Sequence, residues 1–207
     1  MRDDVKAPGE RSGPVPPYAY VPGHGLPHPV NDPAGHSFGR ESRPPFGPEA
    51  VEGLPADPVL RRRAIAGLLA ADPEWHRAAA LFNGGFYWEA HEAWELFWNS
   101  LGRTTPEARA VQGLIHLAAA GVKIREGRPA GVARHGQRAR ELLSEGPHEG
   151  ESAPARFDCP GTDGRSVARV IGELEGYHRE CWHTSRALVV SVVAAKLEVR
   201  GPEDHAG

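Results

Sequence analysis

Cysteine is scarce: the 207 residues hold only Cys159 and Cys181, which excludes a disulfide framework. Both thiols are expected to be reduced, in a cytoplasmic setting. Basic excess is absent too. There are 24 Lys and Arg against 27 Asp and Glu, a formal net charge of −3 and a pI of about 6.4. A dominant nucleic-acid surface is therefore not expected, and the Arg61–Arg63 run reads as a solvated face. Long apolar runs are missing. The longest near the C-terminus, Ala187–Ala195, is too short to span a bilayer, and the opening MRDDVKAPGERSG has no apolar core of a secretory leader. No membrane partner is expected. No Gly-x-Ser-x-Gly elbow, phosphate loop, dinucleotide fingerprint or Cys-x-x-Cys occurs. Cys159 lies in a polar loop, where a reactive thiol is conceivable but has no placed histidine beside it. No segment alternates polar and apolar residues over strand length with β-branched enrichment, so nothing argues for a sheet.

Proline, in contrast, is abundant and unevenly placed. Eleven of the 20 prolines lie between Pro8 and Pro48. Proline removes a backbone donor and fixes φ, which prevents regular helix or central strand. Composition alone reads as linker, yet the stretch from Pro16 to Gly39 carries Tyr18, Tyr20, Phe38 and the histidines His24, His28 and His36. Disordered tails are poor in aromatics. The expected division is a disordered tail over 1–15, an extended arm docked on the domain over 16–56, a helical domain over 57–200 and a frayed end over 201–207.

Beyond the arm the pattern is helical. Asp57 can cap a helix that starts at Pro58. Asp72-Pro73 restarts a second, through Phe82, and Asn83-Gly84-Gly85 breaks it. A third runs from Phe86 to about Asn99. Thr105 caps a fourth, ending near Gly127, whose apolar stripe is Val111, Leu114, Ile115, Ala118 and Val122. A more polar helix follows over Ala130–Leu143. After a Gly/Pro/Ser/Glu loop over 144–164, a last helix is expected from Arg165, because Val170, Leu174, Tyr177, Cys181, Leu188 and Val192 recur at helical spacing, with His178, Trp182 and Ser185 beside that stripe. The fold class is thus all-α: a single bundle of about five or six helices with an extended Pro/Gly-rich N-terminal arm.

The densest stretch is Phe82–Leu101, FNGGFYWEAHEAWELFWNSL. It places Trp88, Trp94 and Trp98 around His91, Glu89, Glu92 and Glu95. At 100° per residue, Phe86, Ala90, Ala93 and Phe97 form its core face, with His91 and Glu95 one turn apart just beyond one edge. Glu89 and Glu92 are expected on the other flank, more exposed. His91-Glu92-Ala93-Trp94-Glu95 fails the zincin pattern, because a glutamate stands where the second histidine is required. A His-x-x-x-Glu pair can still supply two ligands to a divalent metal, or a general base. It can equally be a hydrogen-bonded pair that orients a helix. On the next long helix, Gln112, His116 and Lys123 run beside the apolar stripe. The short connection over 100–106 makes the two helices antiparallel neighbours. His91, Glu95 and His116 are therefore the candidate catalytic or metal-ligating groups. Gln112 and Lys123 are candidate binding groups, with Trp94 and Trp98 as pocket walls.

Taken in order, the run Phe82–Trp98, the run Val111–Ala120 and the small-residue turn at Gly127–Gly131 resemble the domain-of-unknown-function family numbered 309, over roughly residues 75 to 145. Pro17–Gly39 resembles an N-terminal extension carried by one branch of that family. The resemblance implies a small all-helical domain and carries no activity with it. His116 stands where many members have glutamine, so the resemblance implies a polar position there rather than an obligatory ligand. Two functional classes stay open: a metal-binding or hydrolytic protein using the His–Glu helix, and a non-enzymatic module receiving a small molecule or a protein. Neither substrate, partner nor oligomeric state is legible.

Overall fold

Four helices begin where a side chain satisfies an amide group that a helix start leaves unpaired. In the computed structural model, which describes residues 14–40, 45–144, 159–177 and 186–201, Asp57 accepts from the Leu60 amide and opens α2 (Pro58–Ala71). The first helix, α1 (Pro48–Glu52), is a single short turn inside the proline-rich region. Asp72 accepts from the Glu74 amide and opens α3 (Pro73–Asn83). Thr105 accepts from the Ala108 amide and opens α5 (Pro106–Arg125). Asp163 accepts from the Ser166 amide and opens α7 (Gly164–Glu175). Two helices start without a side-chain cap: α4 (Tyr87–Ser100) after Phe86, and α6 (Pro129–Leu143) after Arg128. The described residues contain these seven α-helices and no strand, so the chain is all-α.

The helix α5 is the axis of the bundle, and its largest interfaces are with α6 and α4. Its small residues make that closeness possible. A Cβ on Gly113 would sit 2.4 Å from Leu143 Cγ, and one on Gly121 would sit 2.5 Å from Tyr87 Cδ1. Leu143 and Tyr87 therefore occupy the space that side chains on α5 would take. The core formed around it includes Trp75, Phe82, Trp94, Phe97, Leu114 and Ile124.

The last helix is shorter than its apolar spacing suggests. It ends at Glu175, with Gly176 as its C-cap, and residues 186–201 run without helix over the bundle. The physical reason lies in where the backbone amides of this segment go. Val192 and Val193 donate to the Tyr87 hydroxyl at 2.9 and 3.0 Å, and Ala194 and Ala195 donate to the Glu173 carboxylate at 2.7 Å each. Leu197 donates to Asn83 Oδ1 at 2.8 Å, while Asn83 Nδ2 donates back to the Leu197 carbonyl at 2.8 Å. Tertiary partners thus replace the i−4 carbonyls, and the run of β-branched valines suits an extended path. Arg125, buried on α5, donates to the Ala187 carbonyl at 3.1 Å. Gly85, at φ 89°, lets this strap pass, since a Cβ there would lie 2.6 Å from the Val190 carbonyl oxygen. Cys181, His178, Trp182 and Ser185 lie outside the described residues, as do most of the 144–164 loop and the tails 1–13 and 202–207. Cys159, expected in a polar loop, is fully buried in the core, which argues further against a reactive thiol.

The arm crosses α4. Tyr18, Ala19 and Val21 are buried, and the Ala19 amide donates to the Leu188 carbonyl at 2.8 Å. The Tyr20 ring meets Trp88 edge-on at 5.0 Å, and His28 does the same at 5.5 Å.

Candidate functional site

Helical spacing places Trp88, His91, Glu92 and Glu95 together on α4, because residues three and four apart share a face. The His91 ring stacks on Trp88, centroids 6.0 Å apart and planes 16° apart. Its Nδ1 lies 3.7 Å from Glu92 Oε1 and 3.9 Å from Glu95 Oε2. Those separations exceed hydrogen-bond length. Accordingly Nδ1 is enclosed and makes no hydrogen bond with the described residues. One ligand atom from each of His91, Glu92 and Glu95 falls within 4.8 Å of the others. Glu92 was expected on the far flank. Adjacent residues on a helix are 100° apart, and a flexible glutamate closes that gap by swinging its carboxylate back to the imidazole.

Glu89 is also placed differently from expectation. It is buried, and its Oε1 accepts from the Tyr20 amide at 2.9 Å. His36 Nε2 lies 3.2 Å from the same oxygen, while His36 Nδ1 lies 2.9 Å from Ser37 Oγ. This pattern fits a neutral His36 that donates through Nε2 and accepts from Ser37 at Nδ1. Burial lowers the His36 imidazole below its usual range, with Arg40 and Arg77 adding to the effect. Burial pushes the Glu89 carboxyl up to about 7, against the downward pull of the Tyr20 hydrogen bond. The arm covers the far flank of α4, and that is why Glu89 is not solvated.

Facing α4, His116 on α5 pairs with His135 on α6, Nδ1 to Nδ1 at 2.9 Å. Two imidazoles can share one proton in this way only if at least one of them is neutral. Burial pushes His116 down to about 4, with His135, Arg138, His91 and Arg134 opposing further charge. His135 is lowered as well, by burial first and then by Arg134, Lys123 and His91. His91 thus lies within electrostatic reach of both members of the pair. The short turn over 126–128 folds α6 back along α5, and this brings His135 opposite His116. His135 had no place in the sequence-based set. A histidine at helical phase beyond a tight turn was the available signal.

The other expected residues are distributed as follows. Lys123 donates to both Glu126 oxygens, at 2.9 and 2.8 Å, and its stem packs on Gly131. Gln112 is half-buried, one turn before His116. Trp94 is buried against Phe82, ring centroids 6.0 Å apart, inside the core. Trp98 Nε1 donates to the Arg103 carbonyl at 3.2 Å, and the Arg103 guanidinium lies 5.1 Å over its ring. The indole that stacks on His91 is that of Trp88.

His91, Glu92 and Glu95 thus cluster on α4, while His116 and His135 pair between α5 and α6. Residues 75–135 match the model of a family described as a domain of unknown function, DUF309, the family that the sequence resembles. The matched stretch includes His91, Glu92, Glu95, His116 and His135. No curated protein and no solved structure matches the chain.

Proposed function

We propose that the domain binds a divalent transition-metal ion through His91, Glu92 and Glu95, with His116 and His135 as nitrogen donors on the facing helices. The observation that carries this reading is the convergence of three ligand atoms within 4.8 Å. Ligands held 2.0–2.2 Å from one ion lie roughly 3–4.4 Å apart, so a small swing of the two half-exposed carboxylates completes the set. A donor set of imidazole and carboxylate, without thiolate, favours zinc, manganese or iron. Trp88 holds the plane of the His91 ring, and the lowered pKa of His116 keeps its lone pair free of protons near neutral pH. His91, Glu92 and Glu95 as the ligands from α4 would leave further positions on the ion, and one of these filled by water rather than by His116 or His135 would give the arrangement of hydrolytic metal sites. In the alternative reading the cluster only ties helices together, within a module that binds a small molecule or a protein.

The test is metal analysis of the purified chain after dialysis against zinc, manganese and iron in turn. Binding close to one ion per chain, lost in His91→Ala with the helical spectrum unchanged, supports the metal centre. Equal and substoichiometric metal in both proteins refutes it and leaves the alternative.

A further inference from the structure

A cavity of about 690 Å³ opens beside α3, away from any residue of the His–Glu cluster, and Val15 of the arm contributes to its wall. Pockets of this size hold small organic ligands, typically with apolar walls and a few placed polar groups. Pro73, Ala80, Leu81 and Phe86 supply the apolar walls here, and the nitrogen-bearing groups are His76 and Arg77. His76 is already committed, with its Nε2 2.7 Å from the Ala70 carbonyl. Arg77 is held more loosely. Among the described residues it is ion-paired with Glu74, one turn earlier on the same helix, at an Nη1–Oε2 separation of 3.7 Å that is longer than a hydrogen bond, and its charge also reaches Glu89 and His36. A guanidinium is always charged and carries five donors in a planar fork. Beside apolar walls it is partly stripped of water, so an anionic acceptor there gains a charge-assisted contact.

We propose that this cavity binds a small amphipathic monocarboxylate, with the carboxylate forked by Arg77 and the alkyl or aryl body against Leu81 and Phe86. The proposal is independent of the metal reading, since it uses no residue of that cluster. The geometry sets a polarity of binding. The head group sits at the guanidinium, and the chain runs along the face of α3 where Ala80 offers room. An uncharged analogue of the same length keeps the apolar contacts and loses the forked pair, which is the term that discriminates.

Calorimetric titration of the full chain with decanoate, decanol and acetate tests this. Decanoate should bind about tenfold or more tightly than decanol, a ratio expected for one charge-assisted pair, and acetate should bind far more weakly than either. Arg77→Gln should bring decanoate and decanol to equal affinity. Ala80→Trp, at an exposed wall position, should abolish decanoate binding with the helical spectrum unchanged. Decanoate binding weaker than about millimolar, or decanol binding as tightly as decanoate to the unmodified chain, would overturn the proposal, as would tight decanoate binding retained in Arg77→Gln. Metal content, measured on the same samples, reads the other site separately.

Discussion

Glu89 Oε1 accepts the backbone N–H of Tyr20 at 2.9 Å, so a buried carboxyl of α4 holds the main chain of the N-terminal arm. Burial raises that carboxyl to about 7; Glu92 adds to the rise, while Arg77 opposes it. Between about pH 4.5 and 7 the folded chain retains a proton that the unfolded chain has released. The stabilisation from this group is therefore complete below about pH 4.5 and is lost as pH rises through 7. His36 has the opposite sign, since its imidazole is lowered and favours the fold as pH rises. Glu89→Gln keeps an acceptor for Tyr20 and removes the charge. It should stabilise the chain at pH 8 by on the order of 1–3 kcal/mol and change little at pH 4.5. Urea midpoints at the two pH values measure this, and an equal shift at both would exclude a titrating Glu89.

Docking of the arm rests on the Tyr20–Trp88 contact as well as on Glu89. Tyr20→Ala should remove an aromatic pair of roughly 0.5–1.5 kcal/mol and speed proteolytic cutting between residues 16 and 39. The unmodified chain should resist cutting there. Rapid cleavage of both proteins at equal rates would show that the arm is free.

The His116–His135 pair should titrate late. Histidine side-chain NMR is expected to show His116 protonating near pH 4, and the pair's stabilising contribution should be lost as pH falls from 6.5 through that value. In His135→Gln the His116 midpoint should rise, because one opposing imidazole is gone, but stay below 6.5, because burial is the larger cause. A His116 midpoint at or above 6.5 in the unmodified chain would contradict the buried pairing.

Tyr87 joins three parts of the molecule. Its ring fills the space left by Gly121, and its hydroxyl accepts the amides of Val192 and Val193. Tyr87→Phe leaves two buried donors unpaired and should cost about 1–3 kcal/mol. Gly121→Ala drives a methyl into the same ring and should cost a similar amount, about 1–3 kcal/mol. The two effects should be non-additive, since they act through one side chain. Denaturant unfolding of both single variants and the double variant measures this, and strict additivity would deny the coupling.

Local signals carried the helical reading. Asp57, Asp72 and Thr105 announced three helix starts because a cap is a contact between residues two or three apart, which sequence displays directly. The i,i+4 relation of His91 and Glu95 was legible for the same reason. What the sequence could not show was which groups other elements would cover. Glu89 reads as a solvated glutamate until the arm closes over it. Val192 reads as helical until Tyr87, Glu173 and Asn83 take the amides of its segment. His135 has no evident partner until the turn after α5 lays α6 along it. Periodicity along one chain determines which residues share a face. Burial, hydrogen-bond partners and charge depend on the elements that face them, and those contacts exist only once the chain has folded back on itself.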